Sequence, residues 1–90
     1  LGEPLSGETS LRGALANPCR GSAVIGFTLG QESLATFSVF DLSGRVVDER
    51  RGQFPMGESE ITMSEVRPGI YFVRMTAGDF SATRRFVVME

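Results

Sequence analysis

The sequence predicts an all-β fold, an antiparallel β-sandwich of about seven strands. From Ala14 onward, apolar and polar residues alternate with a period of two, and turn-forming residues recur about every eight to twelve positions. The 11 glycines and 4 prolines suit many short elements, and a chain of 90 residues supports one modest hydrophobic core. We therefore expect a single domain without a large substrate cleft.

The N-terminal residues differ in composition from the rest. Residues 1–13 mix glycine, serine, proline and glutamate with scattered leucines, as a linker from a preceding domain does. The folded module is expected to occupy residues 14–90. Its first strand is predicted at residues 14–19, near a turn that Asn17 and Pro18 favour.

Three strands are predicted next, in the segments SAVIGFTL (22–29), LATFSVFD (34–41) and RVVDERRGQF (45–54). The last two form a hairpin. Asp41 accepts hydrogen bonds from its own backbone in such a turn, and Gly44 tolerates a positive φ.

The remaining strands are predicted in ESEITM (58–63), IYFVRMT (70–76) and FSATRRFVVM (80–89). A tight turn at Gly78 and Asp79 joins the last two. Because neighbours on a strand point to opposite faces, Arg84 and Arg85 diverge, and one of them must lie at a sheet rim, in a bulge, or with its head group extended to water.

Parity along these strands predicts the core. The residues expected inside are Ile25, Phe27, Leu29, Phe37, Val39, Val47, Ile61, Tyr71, Val73 and Phe86.

Tyr71, the only tyrosine, has a structural and a functional interpretation. It stands two residues after Gly69, near the start of the next-to-last strand, which matches a tyrosine corner whose hydroxyl bonds backbone a few residues upstream. A catalytic phenol with a pKa near 10 needs a neighbouring base or cation, and the chain has no histidine or lysine. The structural role is favoured.

Composition argues against several other functions. Nine basic and eleven acidic residues nearly cancel, so a nucleic-acid partner is not expected. Without histidine and with a single cysteine, Cys19, a zinc cluster, an internal disulfide and Cys–His catalysis are excluded. Cys19 is either a reactive thiol or a small buried side chain, and burial is favoured. We expect no enzyme activity, no cofactor and no small-molecule substrate.

Acidic residues near the hairpin raise the possibility of calcium. Asp41, Asp48 and Glu49 bracket it, but turn carboxylates more often bond backbone amides, and no run of alternating ligands ends in a bidentate glutamate. A metal is not expected.

Four features in order resemble a known family. They are Asn17–Pro18, the turn from Phe40 and Asp41 to Gly44 and Arg45, the segment Gly69–Ile70–Tyr71–Phe72, and the terminal run Arg84, Arg85, Phe86, Val87 and Val88. Over residues 16–89 the chain resembles the type A C-terminal sorting domain of type IX secretion substrates and the immunoglobulin-like module of the flagellar hook-capping protein.

This resemblance implies an immunoglobulin-like sandwich and a sorting function. The outer-membrane secretion machinery would recognise the domain after passage through the periplasm, and the N-terminal cargo of the parent chain would be secreted or attached to the cell surface. The terminal run, residues 84–88, is the implied recognition segment. Asn17, Pro18, Asp41, Gly44, Gly69 and Tyr71 are the implied structural motif.

Two alternatives stay open. The module could be a structural or ligand-binding accessory domain of a secreted enzyme or adhesin, although carbohydrate binding lacks suitable exposed aromatic residues. It could also self-associate, because parity places Val24, Phe40 and Phe72 on outward faces. If these residues cluster, they form an apolar patch larger than a monomer usually exposes.

Overall fold

The computed structural model describes residues 8–90, which form eight β-strands. The strands are β1 (Ser10–Ala14), β2 (Cys19–Arg20), β3 (Ala23–Leu29), β4 (Ser33–Asp41), β5 (Val46–Phe54), β6 (Gly57–Met63), β7 (Gly69–Ala77) and β8 (Phe80–Met89). They make a three-stranded sheet in the order β1-β3-β6 and a five-stranded sheet in the order β2-β8-β7-β4-β5. All pairings are antiparallel except β2 with β8, which is parallel. The all-β sandwich prediction is confirmed.

The predicted first strand is wrong in its position. The chain enters the sheet at Ser10, and Leu11 is buried opposite Phe27. Residues 15–18 are bends, and Pro18, which has no N–H to donate to a strand ladder, separates β1 from the two-residue β2. A linker to a preceding domain stays a prediction, and residues 1–7 lie outside the described part of the chain.

The two sheets pack face to face through large apolar side chains. Phe27 on β3 and Phe37 on β4 meet across the interface with ring centroids 4.7 Å apart, and the ring of Phe54 lies edge-on to both. Eight of the ten side chains expected inside are buried: Ile25, Phe27, Leu29, Phe37, Val39, Tyr71, Val73 and Phe86.

The other two predictions fail where the strand pattern is irregular or at an edge. Val47 is 44% exposed, since a bulge shifts the register between the pairs Val39 with Asp48 and Phe40 with Val46 and leaves Val47 unpaired. Ile61 is only half-buried, because β6 is an edge strand of the smaller sheet.

Candidate functional site

The described chain begins and ends at opposite ends of the sandwich. Ser10 pairs with Thr28 at the end of β3, whereas Val88 pairs with Gly69 at the start of β7. The end that contains Val88 also contains the Asp41–Gly44 turn, because Asp41 pairs with Tyr71. We call this end the C-terminal pole and the other end the N-terminal pole.

A short segment holds the outer edge of the final strand. The Asn17 side chain accepts a hydrogen bond from the Val87 amide (3.0 Å) and donates one to the Arg85 carbonyl (3.4 Å). It thereby extends the parallel β2–β8 pairing by side-chain contacts. The guanidinium of Arg20 then donates to the carbonyl of Glu90. Residues 17–20 therefore act as a partial partner strand for β8.

From the sequence, Asn17 is predicted in a turn and, through the family resemblance, in a structural motif, but not in contact with the final strand. Its contacts to β8 join residues 68 and 70 positions apart, so no local pattern could indicate them. The one sequence signal that links Asn17 to the final strand is the family resemblance, because Asn17 and the terminal run both belong to the features that carry it.

Cys19 belongs to the same segment and is buried. Its thiol lies 3.5 Å from the Val87 carbonyl, to which it donates, and burial raises the pKa of the thiol. A raised pKa leaves little thiolate at neutral pH, which argues against a reactive thiol.

The structure places four of the five residues of the terminal run on two opposite faces of the strand. Phe86 and Val88 are buried in the core, at 0% and 2% exposure. Arg85 pairs with outward-facing Phe72, and Val87 with Ile70, so these two side chains lie on the outer face of the five-stranded sheet. Only part of the predicted recognition segment is therefore available to a partner of the folded module.

The Arg84 side chain is neither buried in the core nor on the outer face of the five-stranded sheet. By parity it faces the other sheet, and its Nε donates to the carbonyl of Leu11 at 2.9 Å. Gly13 makes room for it, because a Cβ at Gly13 would lie 3.0 Å from the Arg84 Cβ. Arg84 therefore joins β8 to β1 across the sandwich, while the residue stays exposed at the rim.

Tyr71 has the geometry of a tyrosine corner. Its hydroxyl donates to the carbonyl of Arg67 at 2.8 Å, four residues upstream, and its ring stacks on Phe86 with centroids 5.6 Å apart. The residue is 8% exposed. Its hydrogen bond fixes the connection between the sheets to the start of β7, which begins at Gly69.

Asp41 organises the hairpin turn at the same pole. Its Oδ1 accepts hydrogen bonds from the Ser43 hydroxyl (2.6 Å), the Ser43 amide (2.9 Å) and the Arg45 amide (3.1 Å). Gly44, at a φ of 89°, closes the turn. These bonds, with the Ser43 hydroxyl first, lower the pKa of Asp41.

The acidic residues considered for calcium do not converge. The Asp41 carboxylate accepts hydrogen bonds within its own turn. Asp48 forms an ion pair with Arg50 (3.5 Å), and Glu49 accepts a hydrogen bond from the Ser38 hydroxyl (3.1 Å). Within residues 8–90 there is no group of three or more potential metal ligands. The same residues include no helix that is long and apolar enough to cross a membrane.

Two of the three outward apolar residues are brought together. Phe40 pairs directly with Phe72 on the outer face of the five-stranded sheet, whereas Val24 lies on β3 in the other sheet. Phe72 also pairs with Arg85. The outward aromatic pair and the terminal strand thus share one surface.

Comparison with known proteins identifies the domain. Residues 16–89 match the family model described as "Secretion system C-terminal sorting domain". No curated protein matches the chain. Among solved structures, the chain is similar to a crystal structure of dimeric latent PorU from Porphyromonas gingivalis, with a TM-score of 0.70 and 16% sequence identity. The match covers 90% of this chain and only 9% of the PorU chain, and it bears on the fold.

Proposed function

The chain belongs to the family of secretion system C-terminal sorting domains, and from that membership we infer how this module serves export. As a member it is a C-terminal signal for type IX secretion, which directs proteins across the outer membrane to the cell surface or beyond. The family is non-catalytic and interacts with the secretion machinery.

The observation that carries this function is the extent of the match. Residues 16–89 begin just before the segment that holds the edge of β8 and end with β8 itself. The matched region includes both the Asp41 turn and the Tyr71 corner.

We propose that the cargo precedes the module in the parent chain. A polypeptide joined upstream of Ser10 would leave the sandwich at the N-terminal pole, remote from the end of β8. The secretion machinery could then contact the C-terminal pole while the cargo extends away from it. Any enzymatic activity of the parent protein would belong to that cargo.

We further propose that the terminal run acts through two kinds of residue. Arg85 and Val87 are available for contact with the machinery, whereas Phe86 and Val88 maintain the fold that presents them. Deleting residues 84–90 would remove both functions at once, so a deletion could not separate them.

Export of a reporter tests the proposed function. All 90 residues are fused to the C-terminus of a periplasm-directed reporter in a bacterium with type IX secretion, and surface and periplasmic reporter are quantified. We expect surface delivery that depends on the module and is absent from a strain without that secretion system. A reporter that stays periplasmic, although its module is folded, would contradict the proposal.

The alternative is an accessory module that associates with itself or with a neighbouring domain. The pairing of Phe40 with Phe72 favours an interaction surface of some kind. The same reporter separates the two functions, because an accessory module predicts no secretion of a foreign cargo.

A further inference from the structure

We propose that the secretion machinery binds the outer face of the five-stranded sheet near the C-terminal pole, through an apolar stripe bordered by arginines. This inference rests on the proposed sorting function. The stripe consists of Val46, Phe40, Phe72, Ile70 and Val87. It would be contacted by an apolar protein surface that carries carboxylates at its margin.

Strand register makes the stripe continuous. Val46 on β5 pairs with Phe40 on β4, which pairs with Phe72 on β7. Beside Phe72 on the same strand face, Ile70 pairs with Val87 on β8. Four strands therefore contribute to one patch, although the five residues are spread over more than 40 positions of the sequence.

The stripe is open to solvent. Val46 is 51% exposed and Ile70 is 37% exposed, and the two phenylalanines are half-buried between their neighbours. A contiguous exposed apolar patch with a polar border marks an interaction site more often than scattered apolar residues do.

The charge around the stripe indicates the chemistry of the partner. Among the described residues, the outward positions of this sheet carry Arg20, Arg51, Arg74 and Arg85 but only Glu49 as an acidic residue. The whole chain has a net charge of −2, so the basic character belongs to this face. On the other sheet, outward Arg12 is outnumbered by Glu58 and Glu60.

These charges favour a different protein over a second copy of the chain. A symmetric dimer through the stripe would bring two basic faces together, and like charges across an interface oppose association. Arg74 and Arg85 form no salt bridge within residues 8–90, so both can pair with carboxylates of a partner. An acidic, apolar surface of the secretion machinery is complementary to this face.

The test measures the initial rate of surface delivery for the same reporter, by pulse-chase, in matched pairs of variants. Val46→Ser with Ile70→Ser alters the stripe. Leu34→Ser with Met56→Ser is its control. Those side chains are at least as exposed as Ile70, at 50% and 55%, but they lie toward the N-terminal pole, since Leu34 is near the start of β4 and Met56 precedes Gly57, which pairs with Leu29. The variant R74E/R85E reverses the charge of the border, and R12E is its control on the other sheet.

We expect both test variants to slow surface delivery at least about tenfold, a typical effect of losing an interface hot spot, while both controls keep the native rate. Urea unfolding of each purified 90-residue chain establishes that the variants remain folded. If the unaltered module delivers the reporter and the folded test variants do so at the native rate, the proposal that the machinery binds this face is wrong, but the sorting function stands. If the unaltered module fails to deliver it, the sorting function itself is wrong.

Two further outcomes would overturn the choice of partner. Sedimentation velocity of the unaltered chain could reveal a dimer that V46S/I70S abolishes, and then the stripe would bind a second copy. Co-sedimentation with phosphatidylglycerol vesicles that R74E/R85E abolishes would instead assign the face to a lipid surface. A monomer that does not bind the vesicles, together with slow delivery by the test variants, supports a protein partner.

Discussion

Replacing Asn17 by alanine should loosen the outer edge of the final strand without unfolding the module. Asn17→Ala removes the acceptor for the Val87 amide at 3.0 Å and the donor to the Arg85 carbonyl at 3.4 Å. The shorter bond, at an exposed site, is expected to contribute about 1 kcal/mol, and the longer one much less. The core packing of Phe86 and Val88 is untouched, so the loss should be local.

Amide hydrogen exchange followed by NMR measures this loss at the atom concerned. A loss of about 1 kcal/mol in local protection accelerates exchange of the Val87 amide by about fivefold, from RT of about 0.6 kcal/mol. Amides of β4 that face β7 should keep their protection apart from the change in global stability.

Asn17→Asp is the matched control. Its carboxylate retains an acceptor for the Val87 amide but has no N–H to donate to the Arg85 carbonyl. We expect Val87 exchange close to that of the native chain in this variant. If the alanine variant leaves Val87 exchange unchanged, or if both variants accelerate it equally, the side-chain bond does not hold the strand edge and the reasoning fails.

Three other substitutions test the remaining contacts by urea unfolding. Tyr71→Phe should lower the free energy of unfolding by about 1–2 kcal/mol, because it leaves the Arg67 carbonyl without its donor; an unchanged midpoint would mean that water replaces the hydroxyl fully. Arg84→Ser should cost about 1–2 kcal/mol through the lost bond to Leu11, whereas the equivalent change at its outward neighbour should stay within about 0.5 kcal/mol; equal effects would contradict the proposed link between the sheets. Asp41→Asn should be less stable than the native chain at neutral pH, and the gap should close as the pH falls below about 4; a gap that persists in acid would exclude the ionised carboxylate as its cause.

The direction of the Asp41 effect follows from linkage. Hydrogen bonds from the Ser43 hydroxyl and from backbone amides favour the ionised form and lower the pKa in the folded state. The ionised group therefore stabilises the fold above the pKa of the unfolded chain, near 3.9, and this contribution disappears as the pH falls through the lower pKa of the folded state.

Local sequence patterns are sufficient to predict most of the fold. Period-two alternation placed Phe27, Phe37 and Val73 in the core, and turn chemistry located the Asp41–Gly44 hairpin. Alternation and turn chemistry depend on residues that are close in the sequence, so both can be predicted from the sequence alone. The prediction that Val47 is buried was wrong because a bulge changes the parity of the strand at this residue. Alternation of residue types alone does not reveal a bulge.

The arrangement of the candidate site could not be predicted in the same way. The composition of residues 1–13 predicts a linker around Leu11, yet Leu11 is buried and its carbonyl accepts a hydrogen bond from Arg84, 73 positions away. The stripe from Val46 to Val87 depends on three strand registers at once. Parity indicated which residues face outward, but only the strand order shows which of them are neighbours.

Because residues of β8 alternate between the core and the outer face, the proposed recognition of this strand would depend on folding. Arg85 and Val87 face outward, while Phe86 and Val88 between and beside them fill the core, so the outward pair is presented only when the strand is in place. A partner that binds the outer face therefore contacts Phe40 and the final strand together only in the folded module, because they come from β4 and β8. A peptide of the terminal run alone offers Arg85 and Val87 without Phe40, and it should compete poorly with the intact domain for the secretion machinery. Inhibition of reporter delivery by such a peptide at concentrations similar to those of the folded module would show that the linear sequence is sufficient and would remove the need for the composite face.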